Sequence, residues 1–451
     1  MSSTHAQSVQ AVTLEEAPLS ALLFRKLMPL LVIAYVISFV DRTNIALAKS
    51  HITADLGISA AAYGLGAGLF FLSYALLEVP SNLVLHRVGA RFWVTRIMVT
   101  WGIVSAGTAL VHGEASFYFM RLLLGAAEAG LFPGVMLYLT YWFNQAERAR
   151  AIGYFLLGVC IANIVSGPLG GALLELDGFM GWHGWQWMFV LEGLPAVALA
   201  LVVWKKLPDG PATAAWLSAE QRDAVLRKLA QDQVQDEGAN AGHVRHTMSG
   251  CLKDRQIWLA IFVYFCHQIS IYTVIFFLPG IIGKYGHLSP LQIGSLNSLP
   301  WIASAIGAAV LPRLARDARR GRTMLLVGLL IMAAGLLLAA WTPPIVALIG
   351  FALTASMFFV VQSILFVFPS SRLAGPGLAG GLALINTCGL MGGFIGPSMM
   401  GVVEQTTGTT SNGLVIIAVL LVFAAIVSTR LRQGSERAGT LAPQAQRNSA
   451  F

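Results

Sequence analysis

Residues 28–50 read MPLLVIAYVISFVDRTNIALAKS, an apolar stretch that contains an adjacent acid and base, Asp41 and Arg42. A bilayer core about 30 Å thick is crossed by roughly 20 mostly apolar residues in a helix. The stretch is therefore long enough to span a membrane. An ionisable side chain inside such a segment costs free energy unless it is paired or lies in a water-filled cavity. The sequence thus predicts a transmembrane helix that carries a site within it.

The composition of the whole chain indicates a membrane protein. Of 451 residues, 56% are hydrophobic and 11% are charged, and the mean hydropathy is +0.71. A soluble domain carries roughly 25% charged residues, so a soluble enzyme and a disordered chain are excluded. No signal peptide is expected, because residues 1–20 are polar and include Glu15 and Glu16. The spacing of the four cysteines suggests neither a disulfide framework nor a metal site.

Apolar stretches of similar length recur along the chain. They predict an all-α integral membrane protein with twelve transmembrane helices in two six-helix halves. The spans are expected near 28–50, 63–86, 92–112, 115–140, 150–175, 184–204, 256–283, 291–312, 323–341, 344–370, 376–403 and 412–430. The corresponding regions are a cytoplasmic N-terminal segment (1–27), an N-terminal half (28–204), a cytoplasmic linker (205–255), a C-terminal half (256–430) and a cytoplasmic tail (431–451).

The distribution of positive charge tests this count independently. With both termini in the cytoplasm, all but four of the 29 Lys and Arg residues fall in cytoplasmic segments or at the adjoining helix edges. The exceptions are Lys49 and Lys284 in outer loops, and Arg42 and Arg121 inside spans. The positive-inside rule predicts such an asymmetry. The net charge of +8 therefore reflects topology, and we expect no nucleic-acid partner.

Span four contains a second acid and base, Arg121 and Glu128, whose spacing places them on one face of a helix. With Asp41 and Arg42 their formal charges sum to zero, and we expect the four to share a cavity. An Arg matches a carboxylate with two parallel hydrogen bonds, and a carboxylate in a low-dielectric cavity holds a proton more tightly. A proton on either acid would leave an Arg uncompensated, so an organic anion and a proton would bind cooperatively. The alternative hypothesis is that structural salt bridges join spans one and four.

Other polar groups fall within predicted spans. Glu78 in span two and Glu192 in span six are interpreted as gating or, more simply, helix-anchoring groups. Span seven carries a polar-aromatic stripe of Tyr264, Gln268 and Tyr272 on one helical face, which is typical both of a substrate cavity and of ordinary helix packing. The chain has no GxxxxGK[ST] motif, so it carries no recognisable ATP-driven motor.

Four stretches resemble the major facilitator superfamily, and within it the anion:cation symporter family. They are YVISFVDRTN (35–44), EVPSNLVLHRVGAR (78–91), RLLLGAAEAGLFPG (121–134) and GWQWMFVLEGLP (184–195). The resemblance implies alternating access and import of organic anions coupled to protons or sodium. It is closest to prokaryotic tartrate transporters, beside relatives that carry sugar acids or aromatic acids. In the loop after span two, His86 stands where the superfamily usually has an acid.

The resemblance also implies roles for individual residues. The positions matching Asp41 and Glu128 take part in proton coupling, and those matching Arg42 and Arg121 bind the anion. The cavity residues are Tyr264, Gln268, Tyr272 and Asn386, and the gating or structural residues are Glu78, Arg87, Gly89, Arg91 and Glu192.

We therefore expect a monomeric proton symporter of the bacterial inner membrane, with no cofactor, no metal and no catalytic residue. Its partners would be a small organic anion, such as a tartrate-like acid or a sugar acid, and the lipid bilayer. An aromatic-acid importer and a proton-exchange efflux transporter stay open as alternatives, and so does a membrane receptor or sensor that transports nothing.

Overall fold

The computed structural model describes residues 2–239, 252–284, 286–314, 318–370, 373 and 375–432, and within these ranges the chain is helical and contains no strand. The predicted tail beyond residue 432, the linker residues 240–251 and Arg372 lie outside the described residues. The main helices are α1 (Ser2–Leu47), α2 (Lys49–Leu56), α3 (Ala60–Val88), α4 (Ala90–Gly107), α5 (Glu114–Glu128), α6 (Leu131–Thr140), α7 (Gln145–Leu174), α8 (Gly184–Lys206), α9 (Ala219–Ala239), α10 (Arg255–Gly283), α11 (Pro290–Val310), α12 (Ala318–Trp341), α13 (Pro344–Ser356), α14 (Phe358–Ser370), α15 (Gly375–Thr407) and α16 (Ser411–Ser428).

The predicted twelve-helix membrane fold is confirmed. Eleven segments of the described chain are long and apolar enough to cross a membrane. The remaining predicted span, 92–112, corresponds to α4, whose 18 residues include Arg91 and Arg96 near its start and which packs along α8. At 1.5 Å per residue, α4 extends about 27 Å, close to the thickness of a bilayer core.

Two of the predicted spans are discontinuous. Span four divides into α5 and α6 at Ala129 and Gly130, and span ten divides into α13 and α14 at Met357. Spans four and ten occupy equivalent positions in the two sets of six. Matching breaks in corresponding helices are typical of transporters that are built from structural repeats.

The segment that follows α8 packs against one end of the bundle, which we call the linker side. Here the Tyr138 hydroxyl donates to the backbone carbonyl of Pro208 at 2.8 Å. Lys228 of α9 forms an ion pair with Glu147 of α7, with a nitrogen–oxygen distance of 2.8 Å. The opposite end, where α1 is followed by α2, is called the far side.

The two sets of helices meet through α3 against α15, α7 against α11 and α1 against α10. Their closest backbone approaches lie toward the far side. A Cβ atom on Gly64 would lie 2.3 Å from the carbonyl oxygen of Pro397, and one on Gly167 would lie 2.1 Å from that of Gly294. Small residues allow such contact between membrane helices. The far side is therefore closed by glycine-lined helix contacts.

Replacing Gly167 by Ala is expected to weaken this closure. The added methyl group meets the backbone of Gly294, and overpacking of this kind costs typically about 1–3 kcal/mol. Gly153 lies on the same helix with nothing within 4 Å of its Cβ position, so G153A is the matched control. Thermal unfolding in detergent should give a lower midpoint for G167A than for G153A. Equal midpoints would contradict the tight packing of α7 on α11.

Candidate functional site

A cavity of about 90 Å³ lies between the two sets of helices, lined from the middle and linker-side parts of both. Its polar wall includes an arginine, a glutamate, tyrosines and amides. The predicted cavity residues Tyr264, Gln268, Tyr272 and Asn386 all line it. The other lining residues are Tyr35, Phe39, Arg42, Tyr74, Glu78, Phe132, Leu156, Val159, Ile271, Ile275, Trp301, Phe359, Gln362 and Leu390.

Arg42 lines this cavity with a positive charge, and its guanidinium forms an ion pair with the buried Glu128. The Arg42 Nη2 to Glu128 Oε1 distance is 2.6 Å, and Ser38 Oγ donates to the same carboxylate oxygen. The guanidinium also lies 4.7 Å from the ring centroid of Phe39 and 5.2 Å from that of Tyr74. Charge-assisted bonds and cation–π contacts of this kind hold a desolvated arginine in one orientation.

Glu128 is positioned by the break in span four. It is the last residue of α5, and Gly130 follows with a φ of +94° that L side chains rarely adopt. The Ser81 hydroxyl donates to the carbonyl of Ala129 at 2.7 Å, and it accepts from the Trp93 indole N–H at 2.9 Å. The break therefore has a dedicated partner in α3 for one of the carbonyls that the helix leaves unpaired.

Replacing Gly130 by Ala is expected to disturb Glu128 through two effects. The left-handed conformation costs roughly 1–2 kcal/mol with a side chain, and the new Cβ would lie 2.1 Å from Ser81 Oγ. Gly178 has a φ of +81° with nothing within 4 Å, so G178A reports the conformational cost without the collision. Transport measured per folded molecule should fall about tenfold or more in G130A, and little in G178A. Similar activity in both variants would contradict a positioning role for the break.

Arg121 is fully buried and does not line the cavity. Its Nε donates to the carbonyl of Gly66 at 3.4 Å, and no hydrogen-bond partner of Nη1 or Nη2 is found among the described residues. Both guanidinium carbons, of Arg121 and of Arg42, lie 5.1 Å from the centroid of the same Phe70 ring. Arg121 therefore contacts the same ring as Arg42, and Glu128 pairs with Arg42 rather than with Arg121.

Asp41 points into the N-terminal helices instead of the cavity. It accepts from Ser105 Oγ and from Asn44 Nδ2, the latter at 3.3 Å. Glu192 of α8 lies near this pair, and its carboxylate interacts electrostatically with Asp41. The Glu192 carboxylate is buried in α8. The four predicted charges thus do not share one chamber: only Arg42 reaches the cavity, and Asp41 adjoins a third acid.

Glu78 and Asn386 connect the two sets of helices across the cavity. Asn386 Nδ2 donates to Glu78 Oε1 at 3.3 Å. Gln362 Nε2 donates to the Tyr264 hydroxyl at 3.2 Å, so α14 and α10 are also joined at the cavity wall. Glu78, interpreted from the sequence as a helix anchor, therefore lies on the cavity surface.

The junction of α3 and α4, which contains the predicted gating residues Arg87, Gly89 and Arg91, docks on the linker. Arg87 is exposed, whereas the backbone N–H of Arg91 donates to Asp209 Oδ1 at 2.9 Å and its Nε donates to the Leu207 carbonyl at 2.8 Å. Gly89 has a φ of +90°, and a Cβ there would lie 2.6 Å from the Asp209 carboxylate. These contacts hold the linker on the helices that precede it.

Sequence analysis missed several cavity residues. Tyr35 and Tyr74 precede Phe39 and Glu78 by four residues, a spacing that places each pair on one helical face, so a signal was present. Trp301 and Phe359 carry no comparable signal. Within the described ranges, no three His, Cys, Asp or Glu side chains converge on a possible metal position. The chemistry available to the cavity is therefore recognition of an anion by Arg42 and of hydroxyl groups by Tyr, Gln and Asn.

Comparison with known proteins places this geometry in context. The family model described as Major Facilitator Superfamily matches residues 31–397. A putative tartrate transporter of Agrobacterium vitis is 41% identical over 421 residues, covering 93% of this chain and 96% of that protein. A quinolone resistance transporter of Acinetobacter baumannii is 40% identical over 406 residues, covering 89% and 92%.

Solved structures share the fold at low sequence identity. A bacterial homologue of the human lysosomal transporter Spinster superposes with a TM-score of 0.70 and 18% identity, covering 89% of this chain and 95% of that one. A D-xylose–proton symporter gives a TM-score of 0.70 and 14% identity, covering 90% and 98%.

Proposed function

Because the chain belongs to the major facilitator superfamily, and so is an integral membrane transporter rather than an enzyme, we propose that it imports a small organic anion together with a proton. The substrate class is a tartrate-like hydroxy- or dicarboxylate, or a sugar acid. The protein alternates access to one cavity from the two sides of a bacterial inner membrane, acts as a monomer and keeps both termini in the cytoplasm.

The pair of Arg42 and Glu128 is the observation that carries this proposal. Arg42 lines the cavity, whereas Glu128 is buried directly behind it at 2.6 Å. An incoming carboxylate and Glu128 compete for the same guanidinium. A proton on Glu128 removes that competition, since the neutral acid no longer balances the arginine. Protonation of Glu128 thus strengthens binding of the anion, and the bound anion in turn favours protonation of Glu128. This coupling links the two fluxes.

Hydroxyl recognition supports the substrate class. The C-terminal helices contribute the Tyr264 hydroxyl and the amides of Gln268, Gln362 and Asn386 to the lining of the same cavity. A cavity built to hydrogen-bond hydroxyl groups rejects analogues that lack them, because its buried polar groups then stay unpaired. Tartrate and sugar acids carry several hydroxyls beside a carboxylate. The tartrate transporters among the relatives, at 41% and 40% identity, agree with this class.

Uptake into proteoliposomes tests the proposal. Labelled tartrate, gluconate and benzoate are offered with an inward proton gradient, with no gradient and with a sodium gradient alone. We expect accumulation of tartrate or gluconate that requires the proton gradient and is abolished by a protonophore. Accumulation that ignores both pH gradient and voltage would refute proton coupling. Preference for benzoate would transfer the proposal to aromatic acids, and binding without flux would indicate a receptor.

Export by proton exchange is the second candidate, favoured by the quinolone resistance transporter at 40% identity. Export in exchange for protons would need a substrate that binds when Glu128 is ionised, the reverse of the coupling proposed for an anion. Everted membrane vesicles distinguish the two directions. Substrate-dependent dissipation of a proton gradient in everted vesicles, without import by intact cells, would select export.

A further inference from the structure

A second charged cluster lies on the far side, where the two sets of helices meet. Lys49, just beyond the end of α1, forms an ion pair with Glu404 of α15. Lys284, which follows α10, binds the other oxygen of the same carboxylate at 3.0 Å. Lys49 and Lys284 are the two cations that the sequence places in outer loops. Both therefore converge on one acid, and the Lys49 pair joins the two sets of helices.

Lys49 is held in a nearly dry position. Its ammonium lies 4.2 Å from the ring centroid of Phe277 and 5.4 Å from that of Tyr63, so aromatic faces from both sets of helices surround it. Burial lowers the pKa of Lys49, and the Glu404 carboxylate opposes that effect. An anion beside Lys49 therefore stabilises its charge.

A cavity of about 300 Å³ opens beside this cluster. Its lining includes Lys49, Lys284, His51 and Glu404. Two ammonium groups face one carboxylate, so the charge of this lining is +1 with His51 neutral. The volume is at the lower end of the range for small-molecule sites, roughly 300–1,000 Å³. The Lys284 side chain is 51% exposed and gives an arriving anion a first contact.

We propose that this far-side cavity binds a carboxylate, and that the bound carboxylate displaces Glu404 from the two lysines and so unlocks the far side. The inference rests on the proposed function, because it takes the transported anion as the ligand. The incoming carboxylate first binds Lys284. It then moves to Lys49 and replaces Glu404 as the partner of that lysine. The ion pair between the two sets of helices is lost, whereas the glycine contacts remain.

The thermodynamic argument is one of competition. A ligand shifts a conformational equilibrium only by the difference in its affinity for the two states. In the closed state Glu404 pairs with Lys49 of the other set of helices, and in the open state Lys49 is free for the ligand. An external carboxylate therefore binds the open state better, and its arrival favours opening of the side from which it came.

Cysteine labelling measures this opening directly. Ser298 is buried, and its hydroxyl donates across the interface to the carbonyl of Ile164 at 2.7 Å. Ser298→Cys, in a chain whose native cysteines are replaced, is exposed to a membrane-impermeant maleimide in right-side-out vesicles. Tartrate is compared with chloride at equal ionic strength. We expect tartrate to raise the labelling rate about threefold or more and chloride to leave it unchanged.

Three variants make the test specific. Lys284→Gln removes the first ammonium but keeps the ion pair of Lys49 and Glu404, so its labelling rate should no longer respond to tartrate. Lys284→Arg should restore the response. Glu404→Gln should label at the tartrate-stimulated rate without any ligand. Size-exclusion chromatography of each variant confirms that it is folded.

An unchanged labelling rate with tartrate, an equal response to chloride, or a full response in Lys284→Gln would overturn the inference. Uptake by the unmodified chain judges the proposed function separately. If the unmodified chain accumulates tartrate but its labelling rate does not depend on tartrate, only the inference of a far-side site is overturned. If the chain shows no uptake but its labelling rate follows the expected pattern, only the transport proposal is overturned.

Discussion

Replacing Glu128 by Gln is expected to abolish uptake driven by a proton gradient while sparing exchange of substrate across the membrane. Gln keeps an oxygen that can accept from Arg42 and Ser38, whose bonds to Glu128 Oε1 are present in the native chain. It cannot take up or release a proton. Arg42 is then permanently available to the anion, so binding and alternation continue but no proton accompanies them. Proteoliposomes should show gradient-driven accumulation reduced about 100-fold, with counterflow within about threefold of the parent.

Glu147→Gln is the matched control for that substitution. Glu147 makes a comparable ion pair, with Lys228 at 2.8 Å, but on the linker side and away from the cavity. The same chemical change there should leave the ratio of driven uptake to counterflow unchanged. Equal loss of both activities in Glu128→Gln would instead show that the pair with Arg42 is structural, and the proposed coupling would fail.

The sequence was sufficient for the architecture because membrane helices are constrained by few rules. A span needs about 20 apolar residues, and Lys and Arg collect on one side, so hydropathy and charge fixed the count independently. Adjacent side chains on a helix point about 100° apart, which the expectation of one cavity shared by Asp41 and Arg42 did not take into account. In the structure Arg42 faces the cavity and Asp41 faces Ser105.

The partners of those charges could not be predicted in the same way. The spacing of Arg121 and Glu128 holds for a continuous helix, and it fixes a face without fixing which neighbour that face meets. Rotation and packing of α5 bring Glu128 to Arg42 and leave Arg121 against Phe70. The break at Gly130 was visible in the sequence only as one glycine among many. The structural role of this break depends on its hydrogen bond from Ser81, which lies on a different helix.

The far-side cluster was hidden for a related reason. Lys49 and Lys284 were noted only as exceptions to the charge asymmetry, and Glu404 was not singled out. Glu404 is separated from Lys49 by 355 positions in the chain. The packing of α15 against both α3 and α10 brings these residues together.

Removal of the Arg42 guanidinium is the second change with a large expected effect. Arg42→Gln leaves the Glu128 carboxylate buried with Ser38 as its neutral donor, and breaking a buried ion pair from one side costs about 3–5 kcal/mol. The variant should therefore unfold at a clearly lower temperature and accumulate no tartrate. Arg42→Lys keeps the charge but loses the planar fork. It should fold normally and raise the apparent KM for tartrate about 10–100-fold, the equivalent of one charge-assisted hydrogen bond.

The double variant Arg42→Gln with Glu128→Gln separates stability from transport. The double variant removes both charges of the buried pair, so neither is left without its partner. The thermal midpoint should therefore return most of the way to that of the parent. Uptake and counterflow of tartrate should both stay at background, because Arg42 is the only Lys or Arg among the described residues that line the cavity. Recovery of counterflow in the double variant would mean that Arg42 serves only to neutralise Glu128. In that case the anion is held elsewhere, and Arg121, buried against Phe70 with two unpartnered nitrogens among the described residues, becomes the residue to replace next.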